Sequence, residues 1–120
     1  MRQYHHLGIP TTEVREGEKY LPEFKIYVSG YETSEYRIEW VRYAEGSEKI
    51  FPELMRKVAH VAFQVDDLEK ELEGKNVIWG PHESLPSFTV AFIEENGAPI
   101  EFIETKLTEE QILKIVQERK

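Results

Sequence analysis

The chain is 120 residues long, which is enough for one ordinary domain over residues 1–120 whose core needs no disulfide. Its formal net charge of -8 argues against a nucleic-acid backbone as the main partner, because no basic stripe is present. The absence of cysteine excludes disulfides, thiolate metal sites and cysteine nucleophiles.

The first half of the chain predicts three strands and little helix. Residues 11–22 are polar and contain Gly17 and Pro22, so they hold at best one short helix. Residues 44–57 form a charged connection. Alternating apolar residues predict strands at 4–9, 24–28 and 35–43.

The second half of the chain begins with a similar strand and then becomes richer in strands. Asn96 and Gly97 form a typical hairpin turn between two of them. The stretch from Gly80 to Ser84 is expected to be a loop. The predicted strands are 58–65, 77–79, 88–94 and 99–104.

Two helices are predicted in the second half. Asp66 is expected to cap the first helix, which Gly74 ends. Thr108 and Gln111 form a capping box for a C-terminal helix over about 108–119. No segment approaches the roughly 20 apolar residues that a membrane span needs, and no signal segment follows Met1. We therefore expect a cytoplasmic protein without a membrane partner.

An internal repeat connects the two halves. His6 and His60 each open an apolar strand that runs into a polar segment. Glu39 and Glu101 each lie between an isoleucine and an aromatic residue. The separations from His to Glu are 33 and 41 residues. The chain is therefore expected to contain two related β-rich modules.

The four repeated residues are predicted to share one face of the sheet. Side chains alternate across a strand, and in all four strands the apolar neighbours have the opposite parity to the His or Glu. Two His and two Glu on one concave surface suit Zn, Ni, Mn, Co or Fe(II). Parity places His5 on the apolar side with Leu7, which makes His6 the better ligand.

Other candidate residues carry weaker signals. Arg37 has the parity of Glu39 and either binds a substrate carboxylate or pairs with that Glu. His82 is a candidate contact at the rim of the cleft. Ser84 and Ser87 have no convincing His and Asp partners, so a serine hydrolase is disfavoured.

Four short motifs, in this order and spacing, resemble the vicinal oxygen chelate superfamily. That superfamily includes glyoxalase I, methylmalonyl-CoA epimerase, extradiol dioxygenases and bleomycin-resistance proteins. The resemblance extends from residue 4 to about 104. The motifs are His6-Leu7-Gly8-Ile9, Ile38-Glu39-Trp40, His60-Val61-Ala62-Phe63 and Pro99-Ile100-Glu101-Phe102.

The resemblance implies an α+β fold of two paired βαβββ modules that form an open half-barrel cleft. Module one would span about 1–50, module two about 56–105, and the C-terminal helix would follow. Module one is too short for a full helix and three further strands, so its helix is short and one strand is missing or vestigial. The implied metal ligands are His6, Glu39, His60 and Glu101, and the implied assembly is a homodimer.

The resemblance also implies a function. In isomerase and epimerase members, the metal holds vicinal oxygens of a small oxygenated substrate and stabilises an enediolate or enolate. Glu101 or Glu39 would then be the catalytic base. Two alternatives stay open: a metal-free module that binds or sequesters small molecules, as in bleomycin resistance, and an Fe(II) enzyme that uses oxygen.

Overall fold

A computed structural model describes residues 2–118, and its strands form one mixed sheet. The order of strands across this sheet is β2-β3-β4-β1-β5-β8-β7-β6. The strands are β1 (Gln3–Pro10), β2 (Lys19–Leu21), β3 (Ile26–Ser29), β4 (Ile38–Tyr43), β5 (His60–Gln64), β6 (Asn76–Leu85), β7 (Phe88–Glu95) and β8 (Ala98–Thr105).

The sheet has the internal symmetry that the sequence repeat predicts. The first strands of the two modules, β1 and β5, pair antiparallel at the centre. Each of them pairs parallel with the last strand of its own module, β1 with β4 and β5 with β8. The remaining strands follow outward in antiparallel order. The predicted α+β fold with a curled half-barrel sheet is therefore confirmed.

Module one keeps all its strands and lacks the helix. The expected short helix between residues 11 and 22 is wrong, because this segment contains the three-residue strand β2 and no helix. Loop contacts cover the sheet there instead. Arg15 lies 4.5 Å above the Trp40 ring, and Arg42 donates two hydrogen bonds to Glu18, at 2.7 and 2.8 Å. Module one is therefore shorter because its helix is absent, and not because a strand is missing.

The segment predicted as a charged connection is part of the core. It contains a 3-10 turn (Ser47–Lys49) and helix α1 (Glu53–Lys57). Phe51 and Met55 lie on the concave face of the sheet, packed against Ala62 and Ile103. Met55 belongs to α1, whereas Phe51 precedes its N-cap, Pro52.

The opposite face of the sheet is covered by helix α2 (Leu68–Leu72). Leu68 packs there with Val65, Ala91 and Phe102. The cap of α2 differs by one residue from the prediction, because Asp67 and not Asp66 accepts a hydrogen bond from the backbone N–H of Lys70. The two cores lie on opposite sides of the sheet, as the alternation of side chains requires.

Strand β6 is longer than predicted. The stretch Gly80 to Ser84 was expected to be a loop, but it lies inside β6, which runs from Asn76 to Leu85. A proline is tolerated because β6 is the edge strand and its pairing with β7 is interrupted by irregularities in register. His82 is therefore a strand residue.

The local turn and cap signals of the last third are confirmed. Asn96 and Gly97 have positive φ angles of 51° and 83° and connect β7 to β8. Thr108 and Gln111 exchange hydrogen bonds at the start of helix α3 (Glu109–Glu118), as a capping box does. The predicted last residue of this helix, 119, lies outside the described residues. No helix within residues 2–118 is long and apolar enough to cross a membrane.

Candidate metal centre

Three of the four predicted ligands converge on one point. Oε1 of Glu101 lies 3.0 Å from Nε2 of His60 and 3.2 Å from Nε2 of His6. The two imidazole nitrogens are 3.3 Å apart. All three residues are buried. Two nitrogens and one carboxylate oxygen therefore face each other in the interior.

The pairing of the central strands explains this convergence. In the antiparallel pair, His6 lies opposite Ala62 and Gly8 lies opposite His60. Glu101 is in register with Ala62 on the parallel neighbour of β5. Residues in register on neighbouring strands point to the same face, so both histidines and Glu101 lie on the concave side.

Gly8 makes room for His60. A Cβ atom at position 8 would lie within 2.8 Å of three atoms of the His60 imidazole. The ring thus occupies the space that any other residue would fill with its side chain. This role of Gly8 depends on a residue 52 positions away, so no local sequence signal reveals it.

The geometry of the three atoms fits a metal ion. With metal–ligand bonds of about 2.1 Å, neighbouring ligand atoms are separated by about 3.0 Å in an octahedron and about 3.4 Å in a tetrahedron. The three separations in this protein, 3.0, 3.2 and 3.3 Å, lie within that interval. Imidazole nitrogen and carboxylate oxygen are the donors that Zn, Ni, Mn and Co accept. The residues present therefore fit a divalent cation.

The charges of the cluster are strongly coupled. Burial alone would raise the pKa of Glu101, but His6 and His60 outweigh it and hold that pKa well below its usual range. Burial would lower the pKa of His6, but Glu101 raises it above the ordinary value. Glu101 is thus a carboxylate, and its negative charge attracts either a proton on His6 or a cation.

Glu39 lies one step away from the group of three. Its Oε1 is 3.7 Å from Nε2 of His6, and it does not belong to the cluster that His6, His60 and Glu101 form. Its side chain is 23% exposed, against 11% for Glu101. Burial, together with the charge of Glu101, raises the pKa of Glu39. The two carboxylates therefore differ in environment.

The placement of His5 corrects the parity argument. We expected His5 on the apolar face with Leu7, but the pairing of β1 with β5 is irregular between Tyr4 and His6. At this bulge His5 turns toward His6, and their Nδ1 atoms lie 2.8 Å apart. A bulge adds one residue and breaks the strict alternation of side chains. Burial, with the charge of His6, lowers the pKa of His5 to about 4.

Two further residues near the site carry no motif in the sequence. The Tyr31 ring stacks on His5 at 5.5 Å, and its hydroxyl donates a 2.8 Å hydrogen bond to Glu109. Tyr31 belongs to the turn after β3, and Glu109 is the first residue of α3. Only the tertiary structure brings them to the centre.

Arg37 and His82, the weaker candidates, lie in different surroundings. Arg37 pairs with Glu109 at 3.3 Å and not with Glu39, and its side chain is 45% exposed. The His82 ring contacts the rings of Phe24 and Trp79, and its buried Nε2 has no hydrogen-bond partner among the described residues. A substrate contact for either residue stays a prediction.

Comparison with known proteins gives matches in structure only. No family model matches the sequence, and no curated protein matches it. A hypothetical protein from Bacillus halodurans has a TM-score of 0.66 and 21% identity, over 89% of this chain and 96% of that chain. Methylmalonyl-CoA epimerase from Mycobacterium tuberculosis has a TM-score of 0.54 and 15% identity, over 87% of this chain and 88% of that chain.

These similarities and the curled eight-stranded sheet identify the class of fold. The chain has the fold of the vicinal oxygen chelate superfamily. The resemblance inferred from the four motifs is therefore confirmed at the level of fold.

Proposed function

We propose that this protein is a divalent-metal-dependent isomerase, epimerase or lyase that acts on a small oxygenated substrate. One observation carries the proposal: His6, His60 and Glu101 present three buried donor atoms at 3.0–3.3 Å from one another. A buried cluster of this composition is costly unless a proton or a cation balances it. Zn, Ni, Mn or Co suits the donors, and Fe(II) suits them less.

The two carboxylates have different roles in this proposal. Glu101 contacts both histidines and acts as a metal ligand. Glu39 contacts only His6 among them, is more exposed and has a raised pKa. A carboxylate that is close to the metal and free to change its protonation is suited to be the general base. Glu39 therefore removes and returns the proton on the substrate carbon.

The metal would supply Lewis acidity, which polarises a substrate carbonyl oxygen and so acidifies the neighbouring C–H bond. The protein supplies the rest. Glu39 lies on the side of the cluster that solvent reaches, so the substrate approaches there. Phe51 and Met55 fill much of the concave face, which limits the substrate to a small reacting group. Arg37, with its exposed guanidinium, is positioned to attract an anionic substrate.

The structural neighbour guides the choice of test substrates. Methylmalonyl-CoA epimerase is named for an acyl thioester whose α-carbon carries an acidic proton. We therefore propose acyl thioesters of this kind, and thiol adducts of 2-oxoaldehydes, as candidates. The homodimer and the cytoplasmic location implied by the resemblance remain proposals that accompany this function.

Metal content is the first test. Protein purified without a chelator or a histidine tag should contain close to one divalent ion per chain, and His60→Ala and Glu101→Gln should lose it. Glu95→Gln is the matched control, because it removes an exposed carboxylate at the end of β7. If the unaltered protein neither contains nor takes up Zn, Ni, Mn or Co, the enzyme proposal fails, and the metal-free binding module becomes the better account.

Proton exchange at carbon is the second test. In D₂O, the metal-loaded protein should incorporate deuterium at the α-carbon of a suitable thioester. Glu39→Gln should keep the metal and lose the exchange, whereas Glu101→Gln should lose both. Equal exchange in Glu39→Gln and the unaltered protein would exclude Glu39 as the base.

A further inference from the structure

A chain of side chains leads from His6 to the C-terminal helix. His6 directs Nε2 toward Glu101 and His60, and its other ring nitrogen, Nδ1, lies 2.8 Å from Nδ1 of His5. Nε2 of His5 is 3.5 Å from the Tyr31 hydroxyl, which donates to Glu109 at 2.8 Å. Polar contacts therefore link His6 to Glu109 through His5 and Tyr31.

The number of available protons determines which group donates in each of these hydrogen bonds. Tyr31 has a single hydroxyl proton, and it is donated to the Glu109 carboxylate, which can only accept. A hydrogen bond between Tyr31 and His5, whose atoms are 3.5 Å apart, then requires Nε2–H of His5 as the donor. In a neutral imidazole the other nitrogen is then bare, so Nδ1 of His5 accepts from Nδ1–H of His6. Nε2 of His6 remains available as a ligand atom.

We infer that His5, Tyr31 and Glu109 are positioning residues that hold His6 in the tautomer and orientation of a metal ligand. The inference rests on the proposed metal-dependent function. Histidine ligands generally donate their second N–H to a carboxylate, carbonyl or water, which fixes the ring. In this protein His5 accepts the second N–H of His6. Tyr31 and Glu109 in turn fix the tautomer of His5.

The stacking of the chain supports the same role. The rings of His5 and Tyr31 are nearly parallel, with an interplanar angle of 23°. The Arg37 guanidinium pairs with Glu109 and lies 5.9 Å from the centre of the Tyr31 ring. These contacts join the turn after β3 to the first residue of α3. The docking of α3 and the orientation of His6 are therefore coupled through three side chains.

Metal affinity of variants tests the inference. A competing chromophoric chelator measures the affinity for Zn²⁺ or Co²⁺. His5→Leu removes the acceptor and should weaken binding by about 10–100-fold. His5→Gln supplies an amide oxygen in its place and should restore much of the affinity. Tyr31→Phe keeps the ring, loses the hydroxyl and should weaken binding less than His5→Leu.

The controls separate positioning from simple stability. Tyr36→Phe makes the same chemical change in the same turn, at a side chain that is mostly exposed, and should leave affinity unchanged. The Co²⁺ absorption spectrum should change in His5→Leu but not in Tyr36→Phe. If His5→Leu and Tyr31→Phe bind metal as tightly as the unaltered protein, the inference is overturned, although the metal function stands.

A measurement without metal distinguishes the two failures. The ¹⁵N chemical shifts of the imidazoles should show a protonated Nε2 and a bare Nδ1 in His5, and Tyr31→Phe should change this distribution. If the unaltered protein binds no metal, the proposed function and the ligand role of His6 both fail. If it binds metal but His5 carries its proton on Nδ1, only the hydrogen-bond chain is refuted.

Discussion

A methyl group at Gly8 should disable the proposed metal centre while every ligating side chain stays in the sequence. In Gly8→Ala, the new carbon would stand 2.5 Å from Nε2 of His60, whereas ordinary contact begins at 3.4 Å. The His60 ring would have to move by about 1 Å. Metal–ligand distances must hold to within about 0.2 Å, so a displacement of this size removes a ligand.

The expected magnitudes follow from this displacement. Loss of an outer partner of a ligand weakens metal binding by about 10–100-fold, so the loss of His60 itself should exceed about 100-fold. Overpacking of the buried ring should also lower the free energy of unfolding by about 1–3 kcal/mol. Competition with a chelator measures the affinity, and urea unfolding of the metal-free protein measures the stability.

Gly74→Ala is the matched control for this prediction. Gly74 has a φ of 70°, and nothing lies within 4 Å of the position that a Cβ would take. Alanine there should cost about 1 kcal/mol through backbone strain and leave metal affinity unchanged. If Gly8→Ala binds metal as well as Gly74→Ala does, the argument from the space at Gly8 is refuted.

Three further predictions concern the metal centre, the ion pair between Glu18 and Arg42, and the core. Free metal at 100 times its Kd should stabilise the protein by about 2.7 kcal/mol, and the rise in Tm should vanish in Glu101→Gln; a rise that persists there would place the metal elsewhere. The hydrogen bonds from Arg42 lower the pKa of Glu18, so Glu18→Gln should cost stability above about pH 4.3. That cost should fade as the pH drops through the lowered pKa of Glu18; a cost independent of pH in urea unfolding would contradict the ion pair. Met55→Ala should lower the free energy of unfolding by about 2–5 kcal/mol, since Met55 is 2% exposed in the concave core, and a near-neutral effect would show that α1 is not part of that core.

The repeat was readable from the sequence because it depends on strand alternation alone. His6 and His60, with Glu39 and Glu101, have the opposite parity to their apolar neighbours, and the sheet confirms that both modules share one arrangement. The turn at Asn96 and the cap of α3 were predicted for a similar reason. Each rests on residues that lie within four positions of one another.

Other features depended on partners that the local sequence does not contain. The bulge at His5 arises in the pairing with β5, so parity alone assigned His5 to the wrong face. The segment with Phe51 and Met55 is short and charged, and its burial depends on residues of distant strands such as Ala62 and Ile103. The loss of the helix in module one was expected only as a shortening.

The sequence by itself determined that His6, His60 and Glu101 share one face of the sheet, because alternation along a regular strand is a local property of the backbone. Only the tertiary structure decided how far apart they lie. The contact between His6 and His60 joins residues 54 positions apart, and the hydrogen bond from Tyr31 to Glu109 spans 78 positions. Such distances are set by strand register across the sheet, and a shift of register would move these side chains apart.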